Sequence, residues 1–121
     1  MSDFSVGVRH RESVAVFDLK GYLDAHTAPE LERTFQSNID EGRFNIVVNF
    51  RELSYISSAG LGVLMQFIED VRRNQGDIKL SNMSPRVFNV FDLLGFPMLY
   101  EIFPDEDEAV GKFLNKSEKL S

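Results

Sequence analysis

The order of its elements predicts an α/β domain: a mixed β-sheet of about five strands with four helices packed on it, the N-terminal edge strand antiparallel. Three observations carry this. Two strand-like segments open the chain with only a short gap between them, which makes a hairpin. From there on, strand patterns alternate with helix patterns, so the later strands need crossovers and run parallel. Between them, Ile46-Val47-Val48 is apolar without alternation, the mark of a strand covered on both faces.

Phe4, Val6 and Val8 alternate with Ser5, Gly7 and Arg9, giving a half-buried strand over residues 4–10. A turn near Arg11-Glu12-Ser13 leads into a second strand, Val14 to Leu19, which Gly21 is expected to break. Thr27-Ala28-Pro29-Glu30 reads as a helix start, with Thr27 as cap, Pro29 in the first turn and Glu30 completing a capping box. Leu31, Phe35 and Ile39 line that helix at a spacing of four, and Gly42 stops it. The strand from Phe44 to Phe50 follows. A central helix is expected from about Ser58 to Asn74, with Leu61, Leu64, Met65, Ile68 and Val71 as its buried face. Arg72 and Arg73 suit its negative end, and Gly76 closes it.

Asp77 to Ser81 is the next strand. Ser84-Pro85 opens a third helix, with Val87, Val90, Phe91 and Leu94 predicted inside and Gly95 at its end. Phe96-Pro97-Met98 reads as closure of the core, with a contact patch as the lesser alternative, and Leu99 to Phe103 as the last strand. Asp105-Glu106-Asp107-Glu108 is a helix start, because acidic residues suit the first turn. Val110, Phe113 and Leu114 form its apolar side. Residues 115–121 have little to bury and are expected to fray, within a single domain spanning 1–121.

Composition narrows the function. With 43% hydrophobic residues the chain can build a real core, and eleven phenylalanines supply much of it. A net charge of −6 argues against nucleic acid or an anionic membrane as partner. No cysteine means no disulfide and no thiolate chemistry. Met1-Ser2-Asp3-Phe4 lacks a basic-then-apolar signal region, and no apolar run approaches the ~20 residues of a membrane span. The expected location is cytoplasmic, with no membrane insertion. His10 and His26 fall in different elements, which argues against a metal site.

The stretch that concentrates chemistry is Tyr55-Ile56-Ser57-Ser58-Ala59-Gly60-Leu61-Gly62. It joins a buried strand to an amphipathic helix, so two hydroxyls and two glycines sit at a helix start. Serines there accept bonds from free N–H groups, and the helix dipole favours a phosphate. Either serine can be simply a cap. Gly60 and Gly62 each cost about 1 kcal/mol relative to alanine inside a helix. They imply either close packing on the sheet or a flat surface for a partner. Asp24 can start a turn. No His–Asp pair supports Ser58, Asp18 and Asp24 make no acid–base dyad, and a Gly-x-Ser-x-Gly elbow is absent. No glycine-rich loop with a lysine points to a nucleotide, so no cofactor is expected.

Leu53-Ser54-Tyr55-Ile56-Ser57-Ser58-Ala59-Gly60-Leu61-Gly62 also resembles the signature segment of STAS domains, the anti-sigma factor antagonists of bacteria. The similarity extends upstream through Lys20-Gly21-Tyr22-Leu23-Asp24-Ala25-His26-Thr27. Downstream it includes Asn82-Met83-Ser84-Pro85-Arg86-Val87 and Phe91-Asp92-Leu93-Leu94-Gly95. The resemblance implies a STAS-like fold and a non-enzymatic switch. The unphosphorylated form would bind an anti-sigma factor that is also a serine kinase, releasing a sigma factor and so regulating transcription. Phosphorylation would end that binding, and a PP2C-type phosphatase would restore it. The acceptor falls on Ser58, with Ser57 the lesser candidate. Asp24, Ser57, Ser58, Ala59, Gly60, Leu61 and Gly62 form the implied partner surface. The family's aspartate before the acceptor is Ser57 here. That departure keeps open a constitutive role, as a scaffold or regulatory subunit of a signalling or transport complex.

Overall fold

The computed structural model describes residues 3–120, with side chains described for 3–114. Strands β1 (Phe4–Arg11), β2 (Val14–Leu23), β3 (Asn45–Ile56), β4 (Asp77–Ser81) and β5 (Ile102–Phe103) form one sheet in the order β1-β2-β3-β4-β5. β1 pairs antiparallel with β2, and every other pairing is parallel. Helices α1 (Ala28–Asp40), α2 (Ser58–Arg73), α3 (Pro85–Leu93) and α4 (Glu106–Leu120) complete the predicted set, with a short 3-10 turn at Phe96–Met98. The expectation of a frayed tail over 115–121 falls on residues whose side chains lie outside the described ones.

Alternation along the strands builds two unequal cores. Phe17, Ile46, Val48 and Phe50 face α1, α2 and α3, meeting Leu31, Phe35, Leu64, Phe67, Val87 and Phe91. Rings interlock there: Phe17 lies 4.9 Å from Phe35, Phe35 lies 5.2 Å from Phe67, and Phe50 lies 5.4 Å from Phe91. Val14, Val16 and Val47 face the other way and are covered by Ala109 and Val110 of α4. The unbroken Ile46-Val47-Val48 is therefore buried on both sides, as its sequence requires.

Several local expectations give way to tertiary contacts. Gly21 does not end β2. It sits at φ 94° inside the strand, where a Cβ would fall 1.6 Å from the Asp3 carbonyl oxygen, and pairing with β3 shifts register just after it. β3 runs on past Phe50 to Ile56, with two exposed residues between successive buried ones: Phe50, Leu53, Ile56. This spacing of three hides the strand from a period-two search. Thr27 does not cap α1 with its side chain, because its hydroxyl is taken by the Tyr22 carbonyl at 2.8 Å and the Asp24 N–H at 2.9 Å. Met65 is 47% and Leu94 57% exposed, while Val63 and Phe67 take the inner places on α2. The last strand is only Ile102–Phe103. Phe96 does close the core, stacked 5.6 Å from Tyr100.

Candidate functional site

β2 and β3 end side by side. Their last residues, Leu23 and Ile56, are register partners, and the Ser57 N–H donates to the Leu23 carbonyl at 2.9 Å. The two residues that follow, Asp24 and Ser57, therefore leave the sheet together at one rim. Their local patterns fall in separate elements, the family resemblance implies one surface, and the parallel pairing of β2 and β3 brings them to the same rim.

At the rim the chain turns at once into α2. Ser57 is extended (φ −105°, ψ 175°), and its hydroxyl accepts from the Ala59 N–H at 3.3 Å. Its carbonyl accepts from Gly60 and Leu61 at 3.0 and 3.3 Å. Ser57 is thus the cap, and Ser58 occupies the first helical position, exposed. Among the described residues none bonds the Ser58 hydroxyl. The positive end of the α2 dipole lies at this hydroxyl, which favours negative charge there.

Asp24 is held by its own loop. One carboxylate oxygen accepts from the His26 N–H at 2.9 Å and the Thr27 N–H at 3.2 Å, and the Asp24 carbonyl accepts from Ala28 at 2.8 Å. The Thr27 hydroxyl ties the same turn to β2. The carboxylate is fixed and half-buried beside the helix start rather than loose in solvent.

The glycines divide by role. A Cβ on Gly60 would lie 2.7 Å from Leu23 Cγ and 3.1 Å from Ile56, so this glycine lets α2 sit against the strand ends. Around Gly62 there is nothing within 4 Å, and it leaves an open surface. Leu61 is buried, so Gly60 and Leu61 shape the surface from beneath. Ser58 and Gly62 are exposed, and Ser57 and Ala59 half-buried.

Sequence reading held Tyr22 as a weaker candidate beside Asp24 and Tyr55 as the start of the chemistry-bearing stretch, and missed that the two rings pair at the same rim. Tyr22 and Tyr55 are register partners, with centroids 6.1 Å apart and planes inclined by 33°. Only the full length of β3 reveals them, and the one early signal was the triplet spacing of Leu53 and Ile56.

An open groove of about 600 Å³ lies elsewhere, on the sheet face beside the start of α4, lined in part by Ser5, Lys20, Arg51 and Glu52. Its lining includes none of Asp24, Ser57 and Ser58. The densest ionic cluster also borders it. Arg9 pairs with Asp18 and Glu106, Arg11 with Glu106 and Asp107, and Asn49 donates to Glu106 at 2.9 Å. Burial pushes the Glu106 carboxyl up. The bonds from Arg9, Arg11 and Asn49 outweigh it and hold the group down at about 2. Among the described residues no group of three or more His, Cys, Asp or Glu could hold a metal, and no helix is long and apolar enough to cross a membrane.

The STAS domain family model matches residues 5–109. The anti-sigma-B factor antagonist of Bacillus subtilis is 27% identical over 108 residues, covering 89% of this chain and 98% of that protein. The solved structure of the anti-sigma factor antagonist SpoIIAA in its unphosphorylated form matches with a TM-score of 0.77 at 27% identity, over 93% of this chain and 96% of that one. An anti-sigma factor antagonist from Mycobacterium paratuberculosis gives a TM-score of 0.83 over 90% and 92% of the two chains; at 21% identity it speaks for the fold alone.

Proposed function

We propose a function from one premise: the chain belongs to the STAS domain family. It acts as a non-enzymatic anti-sigma factor antagonist, switched by phosphate on Ser58. Its partner is an anti-sigma factor that is also a serine kinase, and binding that partner frees a sigma factor in the cytoplasm. ATP is the partner's substrate. Phosphoryl transfer forms the Ser58 Oγ–P bond and breaks the bond from the γ-phosphorus to the bridging oxygen. ADP leaves, and the hydroxyl proton passes to a base on the kinase. A PP2C-type phosphatase reverses the state by hydrolysis, returning the serine and inorganic phosphate.

The observation that carries this is the division of labour between the two serines. Ser57 caps α2, so Ser58 is free of any capping duty and exposed. A phosphate on Ser58 adds up to about two negative charges at a helix N-terminus that tolerates them. The fold stays, and the surface around Asp24, Ser57, Ala59 and Gly62 becomes costly to desolvate against a partner.

One observation favours a constitutive scaffold as the second reading. Ser57 replaces the family's aspartate, and its hydroxyl is spent on the Ala59 N–H, so it brings no charge beside the acceptor. Ser58→Ala and Ser58→Asp separate the two readings. The switch requires melts within a few degrees of each other and affinities for a kinase-type anti-sigma factor that differ tenfold or more, about 1.4 kcal/mol. Equal affinities favour the scaffold.

A further inference from the structure

We propose that Tyr22 and Tyr55 form the anchoring half of the partner interface whose switched half is Ser58; this rests on the function proposed above. The rings lie close enough to touch, yet stay 52% and 48% exposed. Each is one residue before the paired Leu23 and Ile56, and Asp24 and Ser57 come one residue after. Rings and switch residues therefore share the same ends of the same two strands. Leu23 and Ile56 belong to the core under the helices, so the rings lie across the opposite face of the same rim. α4 covers Val14, Val16 and Val47, near the starts of β2 and β3, and among the described residues it adds no cover at this end.

The switched half is made of small residues, with Gly60 and Leu61 beneath it. A stable interface buries roughly 800 Å² per partner and concentrates its energy in a few large anchors, tyrosine prominent among them. Ser57, Ser58, Ala59 and Gly62 supply none. Another set of exposed apolar side chains, Leu93, Leu94, Met98 and Leu99, lies elsewhere. The Leu99 carbonyl is bonded by Arg72 in the last turn of α2, the end opposite Ser58. Two sets of large exposed groups adjoin the switch: the tyrosines at the strand ends, and Met65 on the α2 face that runs on from Ser58 and Gly62; of these, only the tyrosines form a paired surface. Among the described residues neither phenol makes a hydrogen bond that would give it an internal duty. The occupant is the anti-sigma factor that meets Ser58, laying an apolar side chain across the two rings. The rings then select the partner, and the phosphate decides whether it stays.

The test titrates purified kinase-type anti-sigma factors of the source organism onto four forms: the unmodified chain, Tyr22→Ala/Tyr55→Ala, Tyr22→Phe/Tyr55→Phe and Ser58→Asp. Thermal melts and sedimentation run in parallel. The expected result is a loss of tenfold or more for the alanine pair with a melt within a few degrees, and affinity within about threefold for the phenylalanine pair, because ring area is the feature used. If the alanine pair melts far lower, the single alanine variants are read by the same criteria. Full affinity in the alanine variants alongside a loss in Ser58→Asp overturns the anchor and leaves the switch standing. Failure of every anti-sigma factor to bind the unmodified chain overturns both. A dimer of the unmodified chain that the alanine pair dissolves also overturns the proposal, by assigning the rings to self-association.

Discussion

Two polar regions sit on opposite sides of this sheet and are built in opposite ways. Beside α4, Arg9, Arg11, Asp18, Glu106 and Asp107 engage one another, and Glu106 alone receives bonds from Arg9, Arg11 and Asn49. At the rim of β2 and β3 there is little charge, and the one exposed hydroxyl of interest has no partner among the described residues. A dense, satisfied cluster spends its chemistry on holding α4 to the sheet. A sparse one, set at a helix start and cushioned by glycine, leaves its chemistry for something outside.

The comparison can be broken by substitution, with effects ranked by how much packing each removes. The frame comes first. Phe91 is fully buried between Phe50 and Phe96, so Phe91→Ala should cost about 3–5 kcal/mol in urea melts. A loss under about 1 kcal/mol would mean that α3 is wrongly seated.

Next are the glycines of the rim. Gly60→Ala drives a methyl into fully buried Leu23 and should destabilise by about 1–3 kcal/mol, against the helix propensity of alanine. Gly62→Ala meets open space and should stabilise by up to about 1 kcal/mol. Effects of equal sign would erase the distinction drawn between them.

The ionic cluster gives a pH signature. Because the folded-state pKa of Glu106 is depressed, its contribution is complete above the ordinary carboxylate range and is lost as pH falls from about 5 towards 2. Glu106→Gln should therefore lower the melting temperature at pH 7 by a few degrees, roughly 1–2 kcal/mol of charge-assisted bonding. The gap to the unmodified protein should close in acid. A gap unchanged down to pH 3 would remove the ionised carboxylate from the account.

Much of this was legible in sequence, and the failures share one cause. The element order, the antiparallel start and the Ser57–Ser58 junction follow from local pattern, because capping and periodicity act within a few residues. Gly21, Thr27 and the far half of β3 resist such reading. Gly21 is set by the approach of Asp3, Thr27 by competition from Tyr22 and Asp24, and β3 by register shifts against β2. Each depends on a neighbour that only the folded sheet supplies. The site divides in the same way: Ser58 was visible as a residue and its nearness to Asp24 was implied by the family resemblance, while the tyrosine pair comes from strands meeting at a common rim.

The smallest stability effect belongs to the proposed acceptor position. Ser58→Ala removes an exposed hydroxyl that makes no bond among the described residues and should change stability by no more than about 0.5 kcal/mol. In the proposed function its weight is in phosphate chemistry, and the most direct test is phosphosite mapping by mass spectrometry on the protein isolated from its own cells. The account predicts a fraction of molecules carrying one phosphate, on Ser58. Phosphate on Ser57 instead, or none under any growth condition in which the protein is bound to its anti-sigma factor and then released, would contradict it.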